Sequence, residues 1–174
     1  MSLLKNNKRK IMENEKLIAN AVNMIREMQS VFLEEQHKTE SSDVKYSRKV
    51  SISDYEEWER ENAEYKSFSQ SVLDGMNEKG LTAIQFYKKA HIDRKLFSKL
   101  KTDYCYKPNK TTAIKLCFAL DLSITPAEEL LKKAGYALSK SDPFDLVIRY
   151  CFACEITDID IVNEILIRLD EKTL

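Results

Sequence analysis

The sequence predicts an all-α fold, and three observations carry that prediction. Gly and Pro each occur three times in 174 residues, too few for the turns that an all-β chain consumes. Apolar residues recur at three-, four- and seven-residue spacings in segment after segment. Ser, Thr or Asp stands just before several of those segments, where helix N-caps belong. A chain of this length forms one domain, or one domain with an appendage, and buries a real core.

Residues 1–9 are polar and basic. From Lys10 to about Glu35 the pattern is a long amphipathic helix, with Ile11, Ile18, Ile25 and Phe32 seven apart and Ala21, Val22 and Met28 beside them. Such a stripe either packs on its own domain or forms a homodimer seam through Ile11, Ile18, Ile25, Met28 and Phe32. Asn14 interrupts it, and only about three heptads are present. Residues 37–47 lack periodicity and read as a linker within an N-terminal extension, 1–66. Ser53 and Glu56 have capping-box spacing, so a helix is expected through Tyr55, Trp58, Ala63 and Tyr65. Between Asp54 and Glu64 six acids face one base, Arg60, a net of −5.

Further helices follow. Phe68, Val72, Leu73 and Met76 mark one that ends at Gly80. Thr82 caps a short helix to about Ala90, His91 and Ile92 form a tight turn, and Asp93 caps the helix from Arg94 to about Lys101. A loop, 102–110, contains Pro108. Thr111 or Thr112 is expected to cap the helix bearing Ile114, Leu116 and Phe118. Thr125-Pro126 opens the next, which Gly135 closes. Asp142-Pro143 opens another, and a last helix covers about Ile159 to Leu169.

The segment from Gly80 to Leu100, GLTAIQFYKKAHIDRKLFSKL, resembles the centre of lambda-repressor-like (XRE-type) helix-turn-helix domains. Leu81-Thr82 matches the opening of that motif, Phe86 its inward apolar residue, Ile92 and Asp93 its turn and cap. Phe97 and Leu100 match the inward positions of the recognition helix. Pro108 matches the family's loop proline, and Leu116 to Ser123, LCFALDLS, its following helix. The stretch from Leu81 to Tyr136 is also similar to a C-terminal module of uncharacterised bacterial proteins. The resemblance implies a five-helix lambda-repressor-like core over 67–136, with extra C-terminal helices from 137–174 packed on it. Two residues depart from the pattern. Tyr87 stands where the family usually has a small residue, and His91 where it usually has Gly.

Charge placement agrees with a double-stranded DNA partner. The formal net charge is zero, yet from Lys79 to Lys115 ten basic residues meet two acidic ones, a balance of +8. From Leu116 onward the balance is −5. With Phe97 and Leu100 inward, helical spacing turns Arg94, Lys95, Ser98 and Lys99 outward, the expected base-contacting set. Thr82, Lys101, Lys107, Asn109, Lys110 and Thr111 are the expected phosphate contacts. The function expected is a transcriptional regulator. The alternatives are a solvated basic face on a structural module, and an adaptor or inhibitor that keeps the fold and binds a protein partner. The acidic 54–64 helix could shield the basic face when DNA is absent.

Other chemistry is thinly represented. Cys151 and Cys154 have the spacing of a redox or zinc pair, but Cys105 and Cys117 supply no second close pair, so buried thiols are expected. His37 and His91 lie in no triad. Asp158 and Asp160 read as capping residues, and Tyr104 and Tyr106 either stack on bases or, the favoured reading, anchor the loop. There is no phosphate-binding glycine loop. No enzyme site, cofactor or metal is expected. No apolar run approaches the roughly 20 residues of a membrane span. The Lys- and Asn-rich start lacks an export signal, so a soluble cytoplasmic protein is expected.

Overall fold

The computed structural model describes residues 13–26, 52–63 and 66–174, and these are helical with no strand among them. Residues 13–26 form α1. The others are α2 (Ile52–Asn62), α3 (Phe68–Glu78), α4 (Ala83–Lys89), α5 (Arg94–Thr102), α6 (Lys110–Ala119), α7 (Ile124–Lys133), α8 (Pro143–Ala153) and α9 (Ile159–Arg168).

Side-chain caps start most of these helices. Ser67, Thr82, Asp93, Asn109, Asp142 and Asp158 each accept a bond from a backbone N–H in the first turn that follows. At Thr82 the box is reciprocal, because Gln85 Oε1 accepts from the Thr82 N–H at 2.9 Å. Two caps differ from expectation. Asn109, not Thr111 or Thr112, caps α6, and Ser53 is the second residue of α2, not its cap.

Six of the helix ends follow one rule. After α3, α4, α6, α7, α8 and α9 the chain takes a left-handed residue, in turn Gly80, His91, Asp121, Gly135, Glu155 and Asp170. The N–H of the next residue then reaches back five positions, as Leu81 does to Met76 O and Ile92 to Tyr87 O. This is the Schellman closure, which satisfies carbonyls the helix leaves open. Leu81, Ile92, Leu122 and Tyr136 also pack against the core just after these turns. Ile156, in the same position after α8, is buried within it.

One buried cluster joins the bundle. Helix α3 packs on α5 and α7, α7 on α6 and α8, and α8 on α9. The Phe118 and Phe152 rings stack at 4.2 Å, tying α6 to α8. Arg149 of α8 pairs with Glu128 of α7. A Cβ on Gly75 would come within 3.3 Å of the Leu120 side chain, so this glycine lets α3 approach the end of α6 closely.

Ile18, Ala21, Val22 and Ile25 of α1 belong to the same cluster, and the Tyr150 hydroxyl donates to Met24 Sδ at 3.6 Å. Of the two readings of the stripe, packing on the chain's own domain is the one seen at Ile18 and Ile25, which its core covers. Ile11, Met28 and Phe32, the remaining seam residues, lie outside the described residues. Helix α2 has no buried residue, so the acidic helix does not lie buried against the basic face. No described helix is long and apolar enough to cross a membrane.

Candidate nucleic-acid interface

The candidate surface is the outer side of α4 and α5. Inside, Phe86, Ala90, Phe97 and Leu100 are buried, and Ile92 closes the turn between the helices. The Phe86 and Phe97 rings meet edge-on at 6.0 Å, and Tyr87 lies 6.2 Å from Phe97. Tyr87 is thus half-buried packing at the contact between the two helices. His91 takes φ +48°, the left-handed turn that Gly usually occupies in the resembling family.

Outside, Arg94, Lys95, Ser98 and Lys99 are all exposed, as helical spacing from Phe97 and Leu100 requires. Arg94 and Lys95 occupy the first turn of α5 and have no ion-pair partner among the described residues. Lys99 Nζ stands 4.7 Å over the Tyr106 ring, which steadies it between helix and loop. Lys101 and Lys107 are exposed nearby. Thr82 is exposed at the start of α4, with its own N–H engaged by Gln85.

The loop after α5 is held from three sides. Ser69, buried in α3, donates to Tyr106 O at 3.0 Å. The Tyr136 hydroxyl donates to Pro108 O at 2.9 Å, and Pro108 is buried. Asp103 accepts from the Cys105 N–H. Tyr106 therefore anchors the loop, whereas Tyr104 remains 54% exposed. Asn109 is exposed, but its Oδ1 is used to cap α6.

Two expected phosphate contacts belong elsewhere. Lys110 Nζ lies 2.6 Å from Asp145 Oδ2, a carboxylate buried at the start of α8. Thr111 is half-buried and shares a cleft of about 500 Å³ with Asp142, Asp145, Asp170 and Glu171. Those acids are a poor setting for phosphate, and a lysine neutralising a buried carboxylate is not free to bind one. The +8 of the segment overstates the face for a second reason: Lys79 and Lys89 both reach Asp121, at 3.6 and 2.5 Å.

The thiols divide evenly. Cys117 and Cys151 are buried, as expected, while Cys105 and Cys154 are exposed. Burial pushes the Cys117 thiol up, and burial with Cys154 nearby pushes Cys151 up to about 12. No group of three His, Cys, Asp or Glu side chains able to hold a metal ion occurs among the described residues. Sequence reasoning missed the pair between Lys110 and Asp145, whose members are 35 residues apart and carry no local signal. No protein family matches this chain, and no curated protein or solved structure matches it either.

Proposed function

We propose that the chain is a duplex-DNA-binding regulator, with α3 to α7 as a lambda-repressor-like five-helix core and α5 as its recognition helix. One observation carries the reading. The second helix of a tightly turned helix pair buries Phe97 and Leu100 and exposes Arg94, Lys95, Ser98 and Lys99 together. Residues in the first turn of such a helix reach base edges in the major groove, and Arg or Lys donates there to guanine. Lys101 and Lys107 then serve the phosphates on either side. The acidic cleft at Lys110 and Thr111 lies outside this contact surface.

Selection of genomic duplex fragments by the purified chain, followed by titration across salt concentrations, tests the proposal. Several Lys and Arg contacts to phosphate require affinity to fall steeply as salt rises. Absence of duplex binding at low salt removes the reading. In that case the fold serves a protein partner as adaptor or inhibitor, a reading favoured by Ile52, Tyr55 and Trp58, which stand exposed on α2.

A further inference from the structure

A cleft of about 410 Å³ opens beside the loop that follows α5. Lys66 just before α3, Lys107 in the loop, and Lys132 and Lys133 at the end of α7 form its rim, with Tyr104 and Tyr106 among its walls. Lys66 is paired with Asp74 at 2.7 Å. Lys107 and Lys132 are exposed and have no carboxylate partner among the described residues. The cleft thus offers aromatic walls under a cationic rim.

Helix α2 has the converse chemistry. Ile52, Tyr55 and Trp58 recur at three-residue intervals on one face and are 79%, 54% and 60% exposed. Asp54, Glu56, Glu57 and Glu61 lie around the rest of the helix. Eleven residues with nothing buried make a helix that is marginal by itself in water, so its stability depends on a surface to pack against. Trp and Tyr are also the residue types that most often anchor an interface.

We infer that α2 of one copy docks in the lysine-rimmed cleft of a second copy, Trp58 entering against the Tyr104 and Tyr106 walls and the α2 carboxylates meeting Lys107 and Lys132. The chain's own α2 stays exposed along its length, and its last residue, Asn62, is only four positions before Lys66 at the rim. A second copy carries no such tether. Two-fold exchange makes the same contact twice, and the formal net charge of zero puts no long-range repulsion between copies. The inference does not depend on DNA binding, and a duplex that used Lys107 would compete with this contact.

Trp58 is the only tryptophan, so the full chain reports on its own docking. Sedimentation equilibrium and tryptophan emission are read together over a wide concentration range. A reversible dimer is expected, with emission shifting to the blue as the dimer fraction grows. Trp58→Ala, and separately the pair Lys107→Glu with Lys132→Glu, each weaken dimerisation about tenfold or more, while circular dichroism compared at concentrations where every chain is monomeric stays unchanged. Mixing the lysine-reversed chain with one carrying Glu57→Lys and Glu61→Lys restores a heterodimer. A monomer at every concentration overturns the inference. So does a dimer indifferent to both variants, or a buried Trp58 whose emission does not depend on concentration, which is docking within one chain.

Discussion

Lys110 Nζ stands 2.6 Å from Asp145 Oδ2, and the same oxygen accepts the Ser139 N–H at 2.7 Å. The contact joins the first residue of α6 to the first turn of α8, across a carboxylate side chain that is 2% exposed. Removing the ammonium leaves a buried charge with one donor. Lys110→Ala is expected to cost about 2–3 kcal/mol, less than a fully buried pair because Lys110 is partly in water. Urea unfolding reads this directly. A loss below about 0.5 kcal/mol, the range of ordinary surface changes, would refute the pairing.

The left-handed helix ends supply a second test. An L residue pays about 1–2 kcal/mol in this region, whereas Gly pays only its larger chain entropy. Glu155, at φ +55°, is exposed, so Glu155→Gly is expected to stabilise by about 0.5–1 kcal/mol. His91→Gly gains less, because it gives up the approach of Nδ1 to Asp160 at 3.8 Å. Gly135→Ala is the reverse experiment. A Cβ there meets nothing within 4 Å, so its cost, about 1 kcal/mol, is conformational alone. If Glu155→Gly destabilises, the conformation assigned to that residue is wrong.

These ends also show what the sequence makes legible. Gly80 and Gly135 mark their helix ends because only Gly takes φ > 0 at no steric cost. Asp121, Glu155 and Asp170 take the same conformation without that signature. The local clue was the apolar residue just after them, Leu122 and Ile156 in two cases. Thr82, Asp93 and Asp142 were readable as caps because capping is a contact between near neighbours. The α1 stripe was readable as a buried face, but periodicity does not say what covers it, and Ile18 and Ile25 are covered from within the chain. The outward set on α5 followed from Phe97 and Leu100 alone. The fate of Lys110 did not, because it depends on a partner supplied by another helix.

Thiol reactivity separates the four cysteines. Burial holds the Cys117 and Cys151 thiols protonated, Cys151 being pushed up to about 12. The thiolate is the reactive form, so neither reacts at mildly alkaline pH while the chain is folded. Cys105 and Cys154 are exposed. Titration with a chromogenic disulfide is expected to count two fast thiols in the native chain and four after denaturation. Serine at Cys105 and at Cys154 should each remove one fast thiol, and a third fast thiol would mean that α6 or α8 opens.

Asp121 gives a pH dependence of known sign. Partial burial pushes its carboxyl up, but hydrogen bonds from Lys89 and Thr157 and the charge of Lys79 outweigh burial and hold it below the ordinary carboxylate range. A folded value below the unfolded one adds stability that is complete above the unfolded value, about 3.9, and is lost as pH falls through the folded one. Asp121→Asn should therefore flatten the acid limb of stability against pH. At neutral pH its cost should stay under about 1 kcal/mol, since the lysines are more than a third exposed. Asn tolerates the left-handed φ of +45°, so the variant isolates charge from backbone conformation. An unchanged acid limb would mean that the lysines do not hold this carboxyl.

On the α5 face, base reading and phosphate contact predict different losses. Arg94 begins the helix and Lys101 lies near its end, both exposed, so alanine at either should leave the unfolding midpoint unchanged. Arg94→Ala is expected to cost about 1–3 kcal/mol on the preferred duplex and to relax base preference at one position. Lys101→Ala should weaken binding to every duplex alike and reduce the salt slope by about one. Lys110→Ala should leave the salt slope where it was, because that ammonium is committed to Asp145, although its folding cost will lower the active fraction. The three variants therefore separate along three axes: sequence preference, salt slope and stability. If Arg94→Ala and Lys101→Ala instead lose affinity equally on all sequences, α5 rests on the phosphate backbone and reads no bases. If neither variant changes affinity, duplex DNA does not meet α5 at all.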